Sequence, residues 1–390
     1  MITEETGKPV SLSRSEVDRS IFTFSVAAEE ARRIEGTVLP LDLNAGSNGR
    51  FALVRRFPIG PVGAITPFNF PLNLVSHKVA PAIAVGNSIV LKPSSSAPLT
   101  ALLLAEIVDE SSLPKGGFNV TPCLGSEAAQ LYTDERIKLI TFTGSPATGW
   151  PVKSQAGKKR VVLELGGNAG VIVEADADLE LALSKILAGG FANAGQSCIS
   201  VQRVYIHTSI WRDFLPKLVR GAKEIPMGDP WKETTVVGPM ITEHAAKQVE
   251  EWIADAVAGG ARILCGGKRQ GAMFEPTILA DVRPDMKVSS GEVFAPVVTV
   301  EEYKTFADAI ARVNDSEFGL QAGVFTRDIQ SVFKAYGELE VGGVVVNDAP
   351  TYRVDHMPYG GVKDSGFGRE GVRYAMEEMT ELKLLAVNIM

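Results

Sequence analysis

One thiol in this chain sits in a setting unlike a core. Cys198 closes the run Gly195-Gln-Ser-Cys198, where a glycine and two polar residues suit an exposed loop better than a packed interior. Upstream, Glu164 ends the apolar run Val161-Val-Leu-Glu164 and is followed by Gly166 and Gly167 after one leucine. Such a pair suits covalent catalysis: the thiol attacks, and the carboxylate manages a proton or a water. The opposing reading is a small buried hydrophobe, a common fate of a free cysteine.

Other segments carry polar groups at places where ligands bind. Asn69 lies in Thr66-Pro67-Phe-Asn69, directly after an apolar run. Its amide could donate to a developing oxyanion, or merely shape a Pro-flanked turn. Lys92, in Leu91-Lys92-Pro-Ser94-Ser95, could take ribose hydroxyls or a phosphate, or stand solvated at a strand end. Phe142-Thr-Gly144-Ser145 could cradle a pyrophosphate at a helix start, or Ser145 could serve as a plain cap. Glu292, in Gly291-Glu292-Val-Phe294, could accept from hydroxyls or lie idle on the surface. The one strict G-x-G-x-x-G, Gly366 to Gly371, is discounted. No strand precedes it, and no acidic residue follows at the distance a dinucleotide fingerprint needs. It reads as a glycine turn opening the last helix.

Position depends on the elements around these residues. Apolar runs predict strands over 62–65, 88–91, 118–120, 138–142 and 160–165, alternating with helices over 72–85, 99–110 and 127–131. That alternation means a parallel sheet with crossover helices, whose ligand crevice lies at the carboxyl ends of the strands. A second unit follows, with strands over 169–173, 204–207, 261–264, 321–325 and 341–346. Its helices run over 178–194, capped by Asp176 or Asp178, 245–258 and 306–313. Residues 37–41, 49–57 and 381–389 alternate like exposed strands and need partners, either one another or a second subunit.

Composition narrows the class. The 390 residues are 45% hydrophobic and 22% charged, which suits an ordinary globular protein of two to three domains. A net charge of −7 without a basic run argues against nucleic acid. The polar, acidic start is unlike a signal peptide, and the longest apolar run, 79–91, is broken by Pro81 and Gly86. No membrane partner is expected. Three cysteines without C-x-x-C fit a reducing compartment, so the cytoplasm is expected. Four scattered histidines show no ligand spacing, and no metal is expected.

Taken together, the motifs resemble the aldehyde dehydrogenase superfamily over essentially the whole chain. They are Pro67-Phe-Asn69, Leu91-Lys-Pro-Ser94, Phe142-Thr-Gly-Ser145, Glu164-Leu-Gly-Gly167, Gly195-Gln-Ser-Cys198, Glu292-Val-Phe294 and Lys363-Asp-Ser-Gly-Phe-Gly-Arg369. The resemblance implies an α/β fold of two doubly wound parallel-sheet domains with a small β oligomerisation arm. The dinucleotide-binding domain would take residues 1–36 and 57–165, completed by about 362–378. The catalytic domain would take 166–361, and the arm 37–56 and 379–390. A homodimer or homotetramer is implied.

The implied reaction is oxidation of an aldehyde with NAD or NADP. Cys198 would form a thiohemiacetal and then a thioester, held by the Asn69 amide and the Cys198 N–H, and Glu164 would activate the hydrolytic water. Thr66, Pro67, Lys92, Ser94, Ser95, Gly125, Gly144, Ser145, Glu292 and Phe294 would bind the cofactor. The run Ser94-Ser-Ser-Ala lacks the acid that repels a 2′-phosphate, so NADP is permitted beside NAD. The stretch Pro350-Thr-Tyr-Arg353 looks like the subgroup acting on lactaldehyde, phosphonoacetaldehyde or semialdehydes, with Arg353 as candidate anion anchor.

Three departures stand out. The chain starts almost on Glu5-Thr-Gly-Lys-Pro9, which family members reach later, so an exposed apolar face is expected. Pro151 should disrupt the helix after Ser145, and Pro122-Cys123 stands where a glycine is common. Two other readings compete: a CoA-acylating enzyme, and an inactive dinucleotide-binding or oligomerising pseudoenzyme.

Overall fold

Two parallel sheets dominate the computed structural model, which describes residues 1–389. The first has six strands in the spatial order Gly366–Phe367, Arg160–Glu164, Leu139–Thr143, Val62–Ile65, Ile89–Lys92, Phe118–Val120. All neighbours run parallel except Gly366–Phe367, which pairs antiparallel with Arg160–Glu164. The strand order reverses between Val62–Ile65 and Leu139–Thr143. In open parallel sheets the ligand crevice lies outside the carboxyl ends at such a reversal, where Thr66 and Gly144 follow.

The second sheet has seven strands: Arg262–Cys265, Thr277–Ala280, Val297–Tyr303, Arg203–His207, Gly170–Val173, Gln321–Phe325 and Gly343–Val346. Only Arg262–Cys265, at one edge, runs antiparallel. Val62–Ile65, Leu139–Thr143, Gly170–Val173 and Gln321–Phe325 are buried at every residue, because helices cover both faces and leave no solvent side to demand alternation.

The three orphan segments pair with one another. Thr37–Pro40, Arg50–Pro58 and Thr380–Asn388 form a small antiparallel sheet, the last two matched over nine residue pairs. Met390, the final residue of the expected arm, lies outside the described residues.

Several expectations are corrected. The helix Pro146–Gln155 runs through Pro151 without a break. Proline there forfeits one intrahelical donor, and Thr148 and Gly149 N–H groups still bond Ser145 O at 3.1 and 2.9 Å. The helix expected over 178–194 ends at Phe191, since Asn193 and Ala194 adopt left-handed φ of 53° and 54°. Asp178 is its cap, its carboxylate accepting the Leu181 N–H at 3.1 Å, while Asp176 accepts from Thr326 and Arg327 instead. Leu99, Leu103 and Ile107 of the Leu99–Asp109 helix are exposed.

Sequence periodicity also misses the longest helix, Val10–Glu30. Its pattern is inverted. Ser13, Glu16, Ser20, Thr23 and Ala27 are buried, while Val17, Ile21 and Phe22 are exposed. The buried face is small and hydroxylic because it lies against the helix Asn73–Ala84 and bonds it, Ser20 to Ser76 and Thr23 to Asn73. Glu16 is the key contact. One carboxylate oxygen accepts the Leu72 and Asn73 N–H groups at 2.8 and 3.0 Å, satisfying the start of that helix. The other pairs with the buried Lys8 ammonium, which lies 3.8 Å from the Phe70 ring centroid. The helix thereby holds the loop that carries Asn69.

Glu16→Ala leaves Lys8 buried without its counter-ion and two N–H groups unpaired. Losing one partner of a buried pair costs about 3–5 kcal/mol. The thermal midpoint should fall by several degrees, whereas Arg14→Ala, which breaks the exposed pair with Glu233, should leave it unchanged.

Candidate active site

Gly166 and Gly167 follow the strand that ends in Glu164, and each admits another segment. A Cβ on Gly166 would lie 2.5 Å from Glu292 Oε2, and one on Gly167 would lie 2.4 Å from the Cys198 carbonyl oxygen. The two glycines therefore let the Glu292 loop and the Cys198 loop reach the end of the first sheet. Glu292 Oε1 accepts the Gly167 N–H at 3.0 Å.

The Cys198 loop is not the exposed turn its composition suggests. Asn193, Ala194, Gly195 and Gln196 are buried. Gln196 holds the loop from inside, its side chain accepting the Ile241 N–H at 2.8 Å and donating to Asn193 O at 3.2 Å. Gly195, at φ 66°, passes so close to Ala295 that a Cβ would lie 2.1 Å from its carbonyl oxygen. Left-handed Asn193 and Ala194 add backbone strain of order 1–3 kcal/mol each. Polar residues here are spent on internal hydrogen bonds rather than on solvation.

Cys198 lines a cavity of about 260 Å³ with Asn69, Phe70, Asn193, Arg353 and Tyr359. Its Sγ lies 3.1 Å from the Tyr359 hydroxyl. Burial pushes the thiol pKa up to about 12, with Tyr359 and Arg353 pulling it down and Glu292 and Glu164 adding to the rise. Asn69 donates one amide hydrogen to Gln196 O at 3.1 Å, which ties it to the thiol loop and leaves its second hydrogen uncommitted.

Glu164 is buried, and neither carboxyl oxygen has a hydrogen-bond partner. Burial and the nearby Glu370 raise its pKa well above the usual carboxylate range, against Arg353, Lys78 and Arg369. Glu292 is pushed up to about 7 by burial, offset by the Gly167 N–H. Phe294, at φ 53°, stands edge-on to Phe68 with ring centroids 5.9 Å apart.

Arg353 is not a surface arginine. Its side chain is buried, lies 3.6 Å over the Tyr359 ring, and donates through Nη2 to Glu370 at 3.1 Å and toward His77 Nδ1 at 3.4 Å. Its Nε has no partner. Glu370 also takes the Lys78 ammonium at 2.7 Å; burial would raise its pKa, but Lys78 and Arg353 outweigh that and bring it to about 2. His77 meets Asp355 at 2.7 Å, and Asp355 meets Arg19 at 2.7 Å.

A second region lies along the first sheet. Lys92 is buried, donating to Pro93 O at 2.9 Å and Ser95 Oγ at 3.4 Å, and burial lowers its pKa. It lines a groove of about 920 Å³ with Thr121, Cys123 and Ser126. Ser94 Oγ accepts the Ser96 N–H at 3.2 Å, and Gly125 opens the short turn Gly125–Glu127 at the groove rim. At the strand-order reversal, Thr66 Oγ1 and Thr143 Oγ1 are buried without partners beside Pro67. Gly144 crosses the Phe142 ring where a Cβ would lie 2.7 Å away, and Ser145 is exposed at the start of the helix Pro146–Gln155.

Cys198, Asn69 and Arg353 thus share one cavity, Glu292 meets the two glycines that follow Glu164, and Ser145 stands apart. Sequence reasoning passes over Thr143, Lys78, Tyr359 and Glu370. Lys78 and His77 did carry a signal, being two ionisable residues inside an otherwise apolar helix. Tyr359 and Glu370 carried none, because only tertiary contacts give them partners.

The sequence profile of the aldehyde dehydrogenase family matches residues 1–385. The 3-sulfolactaldehyde dehydrogenase of Priestia megaterium is 50% identical over 390 residues, covering all of this chain and 82% of that protein. The crystal structure of aldehyde dehydrogenase 21 from Physcomitrella patens, in complex with the reaction product succinate, superposes with a TM-score of 0.98 at 49% identity, over 99% of this chain and 81% of that one. The glyceraldehyde-3-phosphate dehydrogenase GapN of Methanocaldococcus jannaschii, complexed with NADP, gives 0.94 at 43% identity, over 98% and 83%. The chain therefore belongs to the aldehyde dehydrogenase family and is an NAD(P)-dependent oxidoreductase acting on aldehydes.

Proposed function

We propose that this chain oxidises a small aldehyde bearing an anionic group to its carboxylic acid, with Cys198 as nucleophile. The observation that carries the anionic preference is the buried Arg353, whose Nε lacks a partner in the cavity that holds Cys198. A guanidinium with free donors suits a carboxylate, sulfonate or phosphate. The relatives agree in kind: their names and ligands include sulfolactaldehyde, succinate and glyceraldehyde 3-phosphate.

In this reading Cys198 Sγ, as the thiolate, bonds the carbonyl carbon, and the carbonyl electron pair moves to oxygen as the double bond opens. The free Asn69 amide hydrogen and the Cys198 N–H hold that oxyanion. The nicotinamide, when bound, supplies the acceptor that takes the carbon to the acyl level. Glu164 then draws a proton from the water that attacks the thioester, and the Cys198 thiolate leaves. The unpartnered oxygens of Glu164 have capacity for that water, which favours hydrolysis over transfer to CoA.

The orphaned hydroxyls of Thr66 and Thr143 and the buried Lys92 fit a polar dinucleotide laid across the first sheet. Lys92, Ser94, Ser95, Gly125 and Pro67 would bind its adenosine half, and Gly144 with Ser145 its pyrophosphate. Glu292 and Phe294 would hold the nicotinamide ribose. Residues 1–36, 57–165 and 362–378 would form the dinucleotide-binding domain, and 166–361 the catalytic one.

The arm, 37–56 and 379–390, would join subunits. The strand Thr380–Asn388 is an edge strand with Leu382, Leu384 and Leu385 exposed by 63%, 54% and 59%, an apolar edge that invites pairing. The three unpaired thiols fit a reducing cytoplasm. Among the described residues no helix is long and apolar enough to cross a membrane.

Three outcomes check this reading. Arg353→Met should raise KM about tenfold to a hundredfold for sulfolactaldehyde or succinate semialdehyde, the scale of a charge-assisted hydrogen bond of about 1.5–3 kcal/mol. The KM for propanal should be nearly unaffected, whereas any loss of thiolate stabilisation lowers kcat for both aldehydes alike; equal rises in KM for charged and neutral aldehydes would remove the anchor. A carboxylic base works only when ionised, and the raised pKa of Glu164 delays ionisation. Thioester hydrolysis should therefore rise with pH along a limb above the ordinary carboxylate range, and Glu164→Gln should abolish that limb. Leu384→Lys should shift the molecular mass in sedimentation from oligomer toward monomer; a wild-type monomer would end the arm proposal.

A further inference from the structure

We infer that Tyr359 is a catalytic residue: its phenol donates a hydrogen bond to the Cys198 sulfur and stabilises the thiolate. The inference rests on the reading of Cys198 as the nucleophile. Sγ has one hydrogen-bond partner among the described residues, the Tyr359 hydroxyl at 3.1 Å. A thiol is a weak acceptor, but a thiolate is a charged one, so this bond strengthens when the proton leaves.

The surroundings make the bond consequential. Cys198 is partly buried, and the carboxyl groups of Glu164 and Glu292 near it have the wrong sign for a thiolate when ionised. Arg353 is the cation that acts on it, yet Arg353 is shared with Glu370 and is not bonded to sulfur. The Arg353 guanidinium lies instead on the Tyr359 ring, 3.6 Å from its centroid. A cation on the ring face withdraws charge from the phenol and makes its O–H a stronger donor. Tyr359 thus carries the influence of Arg353 to the sulfur.

The phenol is held for this purpose. Tyr359 is buried, and its backbone is locked to Glu370 by two hydrogen bonds of 3.0 and 2.7 Å. The neighbouring Gly360 approaches Glu164 so closely that a Cβ would lie 3.0 Å from Oε1. The same segment therefore sets the phenol against the nucleophile and passes beside the carboxylate. Thiolate is also the leaving group when the thioester is hydrolysed, so one hydrogen bond serves both halves of the reaction.

The test is the pH profile of Cys198 alkylation by iodoacetamide in the full chain without aldehyde. Tyr359→Phe keeps the ring and its packing under Arg353 and removes only the hydroxyl. It should move the profile up by about one pH unit, a tenfold loss of thiolate at a given pH below the pKa. Installing 3-fluorotyrosine at 359, a more acidic phenol of nearly the same size, should move it down. A structural role would shift neither. If the profiles of both variants coincide with the wild type, the inference is overturned, while loss of dehydrogenase activity in Cys198→Ser still upholds the nucleophile. If Cys198→Ser keeps its activity, both readings fail together.

Discussion

The meeting at Gly166 and Gly167 is the constraint on which the site depends. Glu164 belongs to the first sheet, while Cys198 and Glu292 belong to loops of the second. A parallel sheet ends its strands where loops can gather, but side chains normally keep those loops apart. Two residues without Cβ remove that barrier at the one place where a carboxyl, a thiol loop and a second carboxyl must converge. The strain in Asn193 and Ala194 and the burial of Gln196 follow from bending the thiol loop into that gap.

Around this junction the protein buries charge rather than avoiding it. Lys78, Glu370, Arg353, His77, Asp355 and Arg19 form a continuous chain of ion pairs and hydrogen bonds leading away from Glu164. Each charge is tolerable because its neighbour compensates it. The chain also sets the local field. It keeps Glu370 ionised, and that charge, together with burial, leaves Glu164 reluctant to ionise. The Val10–Glu30 helix closes the assembly from outside, with Arg19 on Asp355 and Glu16 on the loop that carries Asn69.

The fold class was largely legible in the sequence. Fully buried parallel strands are short apolar runs, and Val62–Ile65, Leu139–Thr143 and Gly170–Val173 read as such. The helix Val10–Glu30 did not, because its buried face is made of Ser13, Glu16, Ser20 and Thr23, which match hydrogen-bonding partners instead of oil. Pro151 misled in the opposite direction: the helix runs through it, and beyond it the Ala156 N–H still reaches Val152 O at 3.0 Å. The run before Cys198 looked solvated because composition cannot tell a polar loop facing water from one facing its own carbonyls.

By itself the sequence determined the inventory and its local order: a thiol after Gly-Gln-Ser, a carboxylate before two glycines, an amide and a lysine after strands. These are signals of spacing along the chain. The tertiary structure decided the environment of each group, which is a matter of distance through space. Whether Cys198 meets a phenol, whether Arg353 is buried over that phenol, and whether Glu164 is cut off from water depend on segments 161, 6 and more than 200 positions away. Desolvation and Coulomb interaction act through that space and leave no imprint on local pattern.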